Sequence, residues 1–192
     1  TDGAWDDTLD PLIDLWGFGR TRRAVGRIPD AQTIRDLQAR VGFHQIVVHP
    51  EGYLSKRLAS VTLDLASVAK GYGVDAVSAL VREKGFTDYL VEIGGEVYAA
   101  GVRVDGKPWR IGINQPEAGA PFDTVYRVVA LQNRAFATSG DYRNFVEIGA
   151  RRYAHVIDPR TGYPVDNGVV SVSVTADTGA LADGLATALM VM

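Results

Sequence analysis

Near one end the chain reads ALADGLATALMVM, an apolar run in which Asp183 and Thr187 stand four residues apart. Four residues make about one helical turn, so the carboxylate and the hydroxyl share a helix face. Two readings of that face stand. It is a narrow polar stripe (Gly179, Asp183, Thr187) turned to water, or a pair of oxygen ligands turned into a pocket. Four other stretches hold more polar and glycine residues than their apolar settings require. In LDLASVAKGYGVD, a strand end is expected to pass straight into a helix whose first amides could receive a phosphate, with Lys70 adding a point charge. Asp64 there could accept from a ring N–H or a ribose hydroxyl; equally it could cap the helix, with Gly71 and Gly73 serving only close packing. In LVEIGGEVYAAG, the paired glycines signal a bulge or a close approach of backbone to something else. In FATSGDYRNF, Thr138, Ser139 and Gly140 could form a small anion-accepting turn. In RRYAHVIDPRTGYPV, His155 is expected to alternate along a strand with Ile157, amid Arg151, Arg152, Asp158 and Arg160, a setting for a structural histidine or for a general base.

The elements that must position these residues follow from the patterning. DPLIDLWGFG reads as a short helix or turn ended by Gly17 and Gly19. DAQTIRDLQARV reads as a helix capped by Asp30, with Ile34, Leu37 and Val41 on one face. HQIVVHP and YLSKR are strand-like around the turn PEG, and His44 and His49 look structural there. SVAKGYGVDAVSALVREKG is a helix stopped by Gly85. DYLVEIGGEVYAAGV and PWRIGINQP are strands, and VYRVVALQNRAFATSGDYR is strand, turn, strand. NFVEIGARRYAHVIDPRTG reads as a hairpin running into a tight turn, and GVVSVSVTA as an alternating strand before the last helix. Strands in mostly antiparallel runs with a few helices predict an α+β fold.

The 192 residues predict one domain, with two small lobes allowed by the length. A formal net charge of −3 gives no case for nucleic acid or an anionic membrane surface. The absence of cysteine excludes disulfides, thiolate metal sites and cysteine nucleophiles. No apolar run approaches transmembrane length, and the first residues lack a signal-peptide layout. The sequence reads as an interior portion of a longer chain: TDGAWDDT opens without Met, and ALMVM stops inside a helical run.

Taken in order, TDGAWDDTLDPLIDLWGFG, LDLASVAKGYGVDAVSALV, YLVEIGGEVYAAG, ATSGDYRNF, RYAHVIDPRTGYPV and SVTADTGALADGLATAL resemble the ApbE family, the FAD:protein FMN transferases. The resemblance implies an ApbE-like, T-fold-like architecture over 1–192, without the family's additional N-terminal part and C-terminal extension. It implies a Mg²⁺-dependent enzyme that takes FAD, transfers FMN through a phosphoester to a Thr or Ser hydroxyl of a target flavoprotein, and releases AMP. By the same resemblance, Asp183, Thr187 and a backbone oxygen near Ser67 would hold Mg²⁺, a hard ion suited to oxygen donors and phosphate. Ala4, Trp5, Asp6, Asp64, Lys70 and the backbone around Ile157 would contact FAD, and His155 would act as base toward the acceptor hydroxyl. Trp5 stands where the family often has Phe or Met, and Lys70 where some members carry an acidic residue. A Mg²⁺-dependent FAD pyrophosphatase giving FMN and AMP is the alternative enzyme, and a non-catalytic FAD-binding protein the alternative outside catalysis. Family members suggest a cell-envelope or periplasmic lipoprotein, or else a cytoplasmic protein, with any membrane association through a segment outside this sequence.

Overall fold

Asp30 opens its helix as the sequence predicts. The Asp30 carboxylate accepts from the Thr33 amide at 2.9 Å, satisfying a first-turn donor that the helix leaves unpaired. The structure, a computed structural model, describes residues 1–20, 24–121, 123–142 and 144–192. In chain order the first elements are α1 (Asp10–Leu15), α2 (Ala31–Gln38), β1 (Ile46–Val48), β2 (Leu54–Lys56), α3 (Ala66–Glu83), β3 (Tyr89–Ile93) and β4 (Glu96–Ala100). There follow β5 (Trp109–Asn114), β6 (Val125–Leu131), β7 (Arg134–Gly140), β8 (Phe145–Ile148), β9 (Arg151–Ala154), β10 (Ser171–Ala176) and α4 (Gly179–Val191). Among the described residues every strand pair is antiparallel, which makes the fold α+β.

The residues cluster into two compact units. The first comprises Thr1–Leu65, Asn144–Gly168 and Val191–Met192. Its core gathers Leu9, Leu12, Trp16, Ile34, Val41 and Ile157. Leu12, Trp16 and Ile34 are essentially inaccessible, and burying such a side chain contributes about 1.5–3 kcal/mol. Trp16 stacks on Tyr153 with ring centroids 5.5 Å apart and donates its Nε1–H to the Gly162 carbonyl at 3.0 Å. That bond pins the DPRTG turn to the core. Hairpins β1–β2 and β8–β9 complete the unit. His49 stacks on Tyr53 at 4.1 Å and bonds Ser55 at 2.8 Å across the first hairpin, the structural role expected of it.

The second unit comprises Ala66–Arg143 and Val169–Met190. Its four-stranded sheet has the order β10-β7-β4-β3, with β5 and β6 forming a separate hairpin. α3 packs along β3 and β4. A layer of small residues (Ala135 and Ala137 on β7, Ala176 on β10, Ala182 on α4) brings the last helix close to the sheet. A second close approach joins the two helices: a Cβ on Gly71 would lie 2.2 Å from the Gly179 carbonyl oxygen, so only glycine fits there. Asp75 fixes the same junction by accepting from the Gly179 and Ala180 amides at 2.6 and 2.9 Å.

The structure corrects several expectations. The expected strand leading directly into α3 does not form; residues 61–65 are irregular, with the Asp64 amide bonded to the Asp7 carbonyl at 2.7 Å. The paired glycines make no bulge but a two-residue turn, because Ile93 and Glu96 pair directly on either side of them. Both glycines have positive φ, 62° and 104°, as such a hairpin turn demands. β6 and β7 are strands joined by a turn, yet they pair with β5 and with β4 and β10 rather than with each other. Residue 143, which closes that predicted stretch, lies outside the described residues. β9 stops at Ala154, so His155 occupies a bend, and Ile157 forms an isolated bridge with Pro164.

Candidate functional site

α4 inverts the bland expectation for its polar stripe. Leu181 and Leu189 are exposed, at 51% and 42%, whereas Asp183 is buried at 3%. Thr187 is half-buried one turn further on. Asp183 Oδ2 accepts from the Gly71 amide at 3.0 Å, which the Gly71–Gly179 approach makes possible. Burial pushes the Asp183 carboxyl above its ordinary value, while the Gly71 amide and the Lys70 ammonium pull it down. Thr187 Oγ1 lies 3.2 Å from Ser139 Oγ, which ties α4 to the end of β7.

Lys70 is ion-paired with Glu96, whose side chain is only 2% exposed. Burial raises the Glu96 carboxyl; Lys70 opposes that rise and the Asp183 charge adds to it. Lys70 therefore acts on two buried carboxylates, and Asp183, Lys70 and Glu96 form one electrostatic group inside the second unit. Ser67 lies one helical turn before Gly71, in the first turn of α3. A cavity of about 480 Å³ in this unit is lined by Gly94 and Gly95 together with Thr138, Gly140 and Tyr142. Two stretches singled out separately in the sequence thus share one cavity.

In the first unit, Ala4 is buried, and the Asp6 carboxylate is engaged within the fold. Asp6 Oδ1 accepts from the Thr8 amide and hydroxyl at 2.8 and 2.6 Å, and Oδ2 from the Phe43 amide at 2.6 Å. Trp5 and Asp64 are both half-buried. The Ile157 side chain belongs to the core, which leaves its backbone as the part able to meet a ligand. His155 Nδ1 lies 3.1 Å from the Asn144 carbonyl oxygen. A carbonyl only accepts, so Nδ1 carries the proton, and in the neutral ring Nε2 is the basic nitrogen. Phe18 meets the imidazole edge-on, with centroids 6.2 Å apart. Asp158 is buried enough to resist ionising, but three hydrogen bonds from Arg160, each 2.9 Å, win and hold its carboxyl below the ordinary value.

Sequence reasoning missed Glu96. The signal was available: a carboxylate immediately follows the glycine pair and opens EVYAA, an otherwise apolar strand segment. It also missed Asp75 as the cap of α4, a pairing between residues about a hundred positions apart that no local pattern encodes.

Comparison with known proteins decides the family. The ApbE family matches residues 1–192. This chain belongs to the ApbE family. An FAD:protein FMN transferase of Haemophilus influenzae is 42% identical over 195 residues, covering 100% of this chain and 56% of that protein. The apo flavinyl transferase ApbE of Pseudomonas stutzeri is 42% identical with a TM-score of 0.84, covering 99% of this chain and 57% of the other. The ApbE protein of Thermotoga maritima is 34% identical with a TM-score of 0.86, covering 100% and 60%. The chain therefore spans somewhat over half the length of the relatives it matches.

The ApbE resemblance implies Mg²⁺, and the second unit offers donors that fit it. Asp183 and Glu96 are buried carboxylates opposed by one ammonium, Glu96 Oε2 is buried without a hydrogen-bond partner among the described residues, and Thr187 and Ser139 add neutral oxygens. Hard oxygen donors with an excess of negative charge suit a hard cation.

Proposed function

We propose that this chain carries an FAD:protein FMN transferase activity, moving FMN from FAD to a Thr or Ser hydroxyl of a target flavoprotein and releasing AMP. The observation that carries the reading is Asp183, a buried carboxylate facing the first turns of α3 within a chain whose relatives bear that enzyme name. Mg²⁺ held by Asp183, Thr187 and a backbone oxygen near Ser67 would neutralise charge on the pyrophosphate. The acceptor oxygen attacks the phosphorus on the FMN side, forming a P–O bond as the bond to the AMP oxygen breaks. His155 takes the hydroxyl proton at Nε2, a role its Nδ1 bond to the Asn144 carbonyl suits by fixing the tautomer. Lys70 supplies a positive charge toward phosphate oxygens, and Ala4, Trp5, Asp6, Asp64 and the Ile157 backbone contribute contacts to FAD.

The test is intact-mass spectrometry of a purified flavoprotein acceptor bearing a candidate Thr, incubated with the protein, FAD and Mg²⁺. A gain of one FMN phosphoester, absent without Mg²⁺ or with Asp183→Ala, is expected. Free FMN and AMP with unmodified acceptors would replace the transferase with a pyrophosphatase. Absence of AMP under every condition would leave only FAD binding.

A further inference from the structure

Glu96 has no part in the reaction just described, yet its placement is costly. It is the first residue of β4, paired with Ile93 across the Gly94–Gly95 turn, and this register turns it inward. Oε1 accepts from Lys70, while Oε2 is buried with no hydrogen-bond partner among the described residues. A half-satisfied buried carboxylate is expensive, and an apolar residue of similar size would usually be more stable. The turn is shaped around this pair: a Cβ on Gly94 would stand 3.1 Å from Lys70 Cδ and 3.8 Å from Glu96 Oε2. Lysine normally sends its head group to water, but here the stem crosses the turn and the ammonium ends on a buried acid.

We infer that Glu96 is a positioning residue: it holds the Lys70 ammonium on the sheet side of Asp183 and keeps the group net anionic, so that Asp183 is available to a divalent cation. The inference rests on the proposed cation role of Asp183. Counting charges, Asp183 and Glu96 against Lys70 leave one negative charge. The nearby Asp75 carboxylate is committed to the first amides of α4 and adds no ligand. Without Glu96, the ammonium has Asp183 as its remaining partner in the group and cancels it. Without Lys70, the two acids stand together uncompensated. With neither, one negative charge is restored.

The experiment is calorimetric titration with Mg²⁺ alone, without FAD, on wild type, Asp183→Ala, Glu96→Gln, Lys70→Met and the Glu96→Gln/Lys70→Met double variant. Glu96→Gln is expected to weaken Mg²⁺ binding at least about tenfold, a modest reading of one lost unit charge in partly buried surroundings. Lys70→Met should bind no more weakly than wild type, and the double variant should return to within about threefold of it. Wild-type affinity in Glu96→Gln, or a double variant as weak as the single, overturns the inference, because a packing role cannot be rescued by removing Lys70. If Glu96→Gln does not fold, the double variant, which lacks the pair, decides by the same threefold criterion. Mg²⁺ binding by wild type that persists in Asp183→Ala, or no binding at all, instead overturns the cation reading and this inference with it.

Discussion

Replacing Gly71 with alanine should destabilise the protein even though alanine is the better helix former. The new Cβ would lie 2.2 Å from the Gly179 carbonyl oxygen and 2.4 Å from its carbon, both backbone atoms that cannot rotate away. Ordinary contact begins near 3.4 Å, so α3 and α4 must part by roughly 1 Å. The Asp75 bonds to the Gly179 and Ala180 amides, now 2.6 and 2.9 Å, do not survive that displacement intact. Overpacking costs about 1–3 kcal/mol and a lost helix cap about 1 kcal/mol, while the gain in helix propensity returns about 1 kcal/mol. The expected net loss is about 2 kcal/mol. Urea unfolding followed by far-ultraviolet circular dichroism measures it, with an unchanged m-value showing that the unfolded state is the same. Gly73→Ala is the internal control, since its Cβ would meet only the flexible Ile93 Cδ1 at 3.2 Å. It should be neutral or stabilising. A Gly71→Ala change within about 0.5 kcal/mol of wild type would refute the helix–helix argument.

Asp183→Asn should raise the melting temperature near pH 7.5 when divalent cations are chelated. Burial raises the folded-state value of this carboxyl, so its ionisation costs stability as pH climbs from the unfolded value through the folded one; the advantage of asparagine should vanish on acidification below the unfolded value. A variant that is inactive yet more stable also separates lost chemistry from lost folding. Trp16→Phe keeps an aromatic in the core but leaves the buried Gly162 carbonyl without its 3.0 Å donor, and should cost about 1–3 kcal/mol in chemical denaturation. Asp75→Ala should cost about 1–2 kcal/mol and speed hydrogen exchange at the Gly179 and Ala180 amides in particular.

What could be read from the sequence was what local rules decide. Asp30 and Thr33 are three residues apart, and their bond follows from helix geometry alone. Gly85 likewise follows α3 within two residues. The identity and spacing of Asp183 and Thr187 were legible, but their burial was not, because Leu181 and Leu189 look like better core residues than an acid does. What turned the acid inward was the contact of Gly71 with Gly179, a distance of about a hundred positions along the chain. Glu96 escaped notice for a related reason: acids beside tight turns usually face water, and only the pairing of β4 with β3 and β7 reverses that here. The bend at His155 was hidden by an alternating pattern that continues past the end of β9. The separation of β6 from β7 depends on partners outside the segment they share.

The chain order of the second unit has a consequence for biosynthesis. The unit begins at Ala66, leaves off at Arg143 and resumes only at Val169, after a segment that belongs to the first. β7 therefore emerges from the ribosome with one edge bare, and the strand that covers it, β10, pairs its Ala176 with Ala135. α4 follows β10 and brings the carboxylate that closes on Gly71. A chain that ends before α4 thus has Lys70 and Glu96 but not Asp183, and the group of two buried carboxylates around one ammonium is complete only once that helix has been made. Long-range closure of this kind slows folding. In exchange, an incompletely synthesised chain lacks Asp183 and with it the proposed cation site.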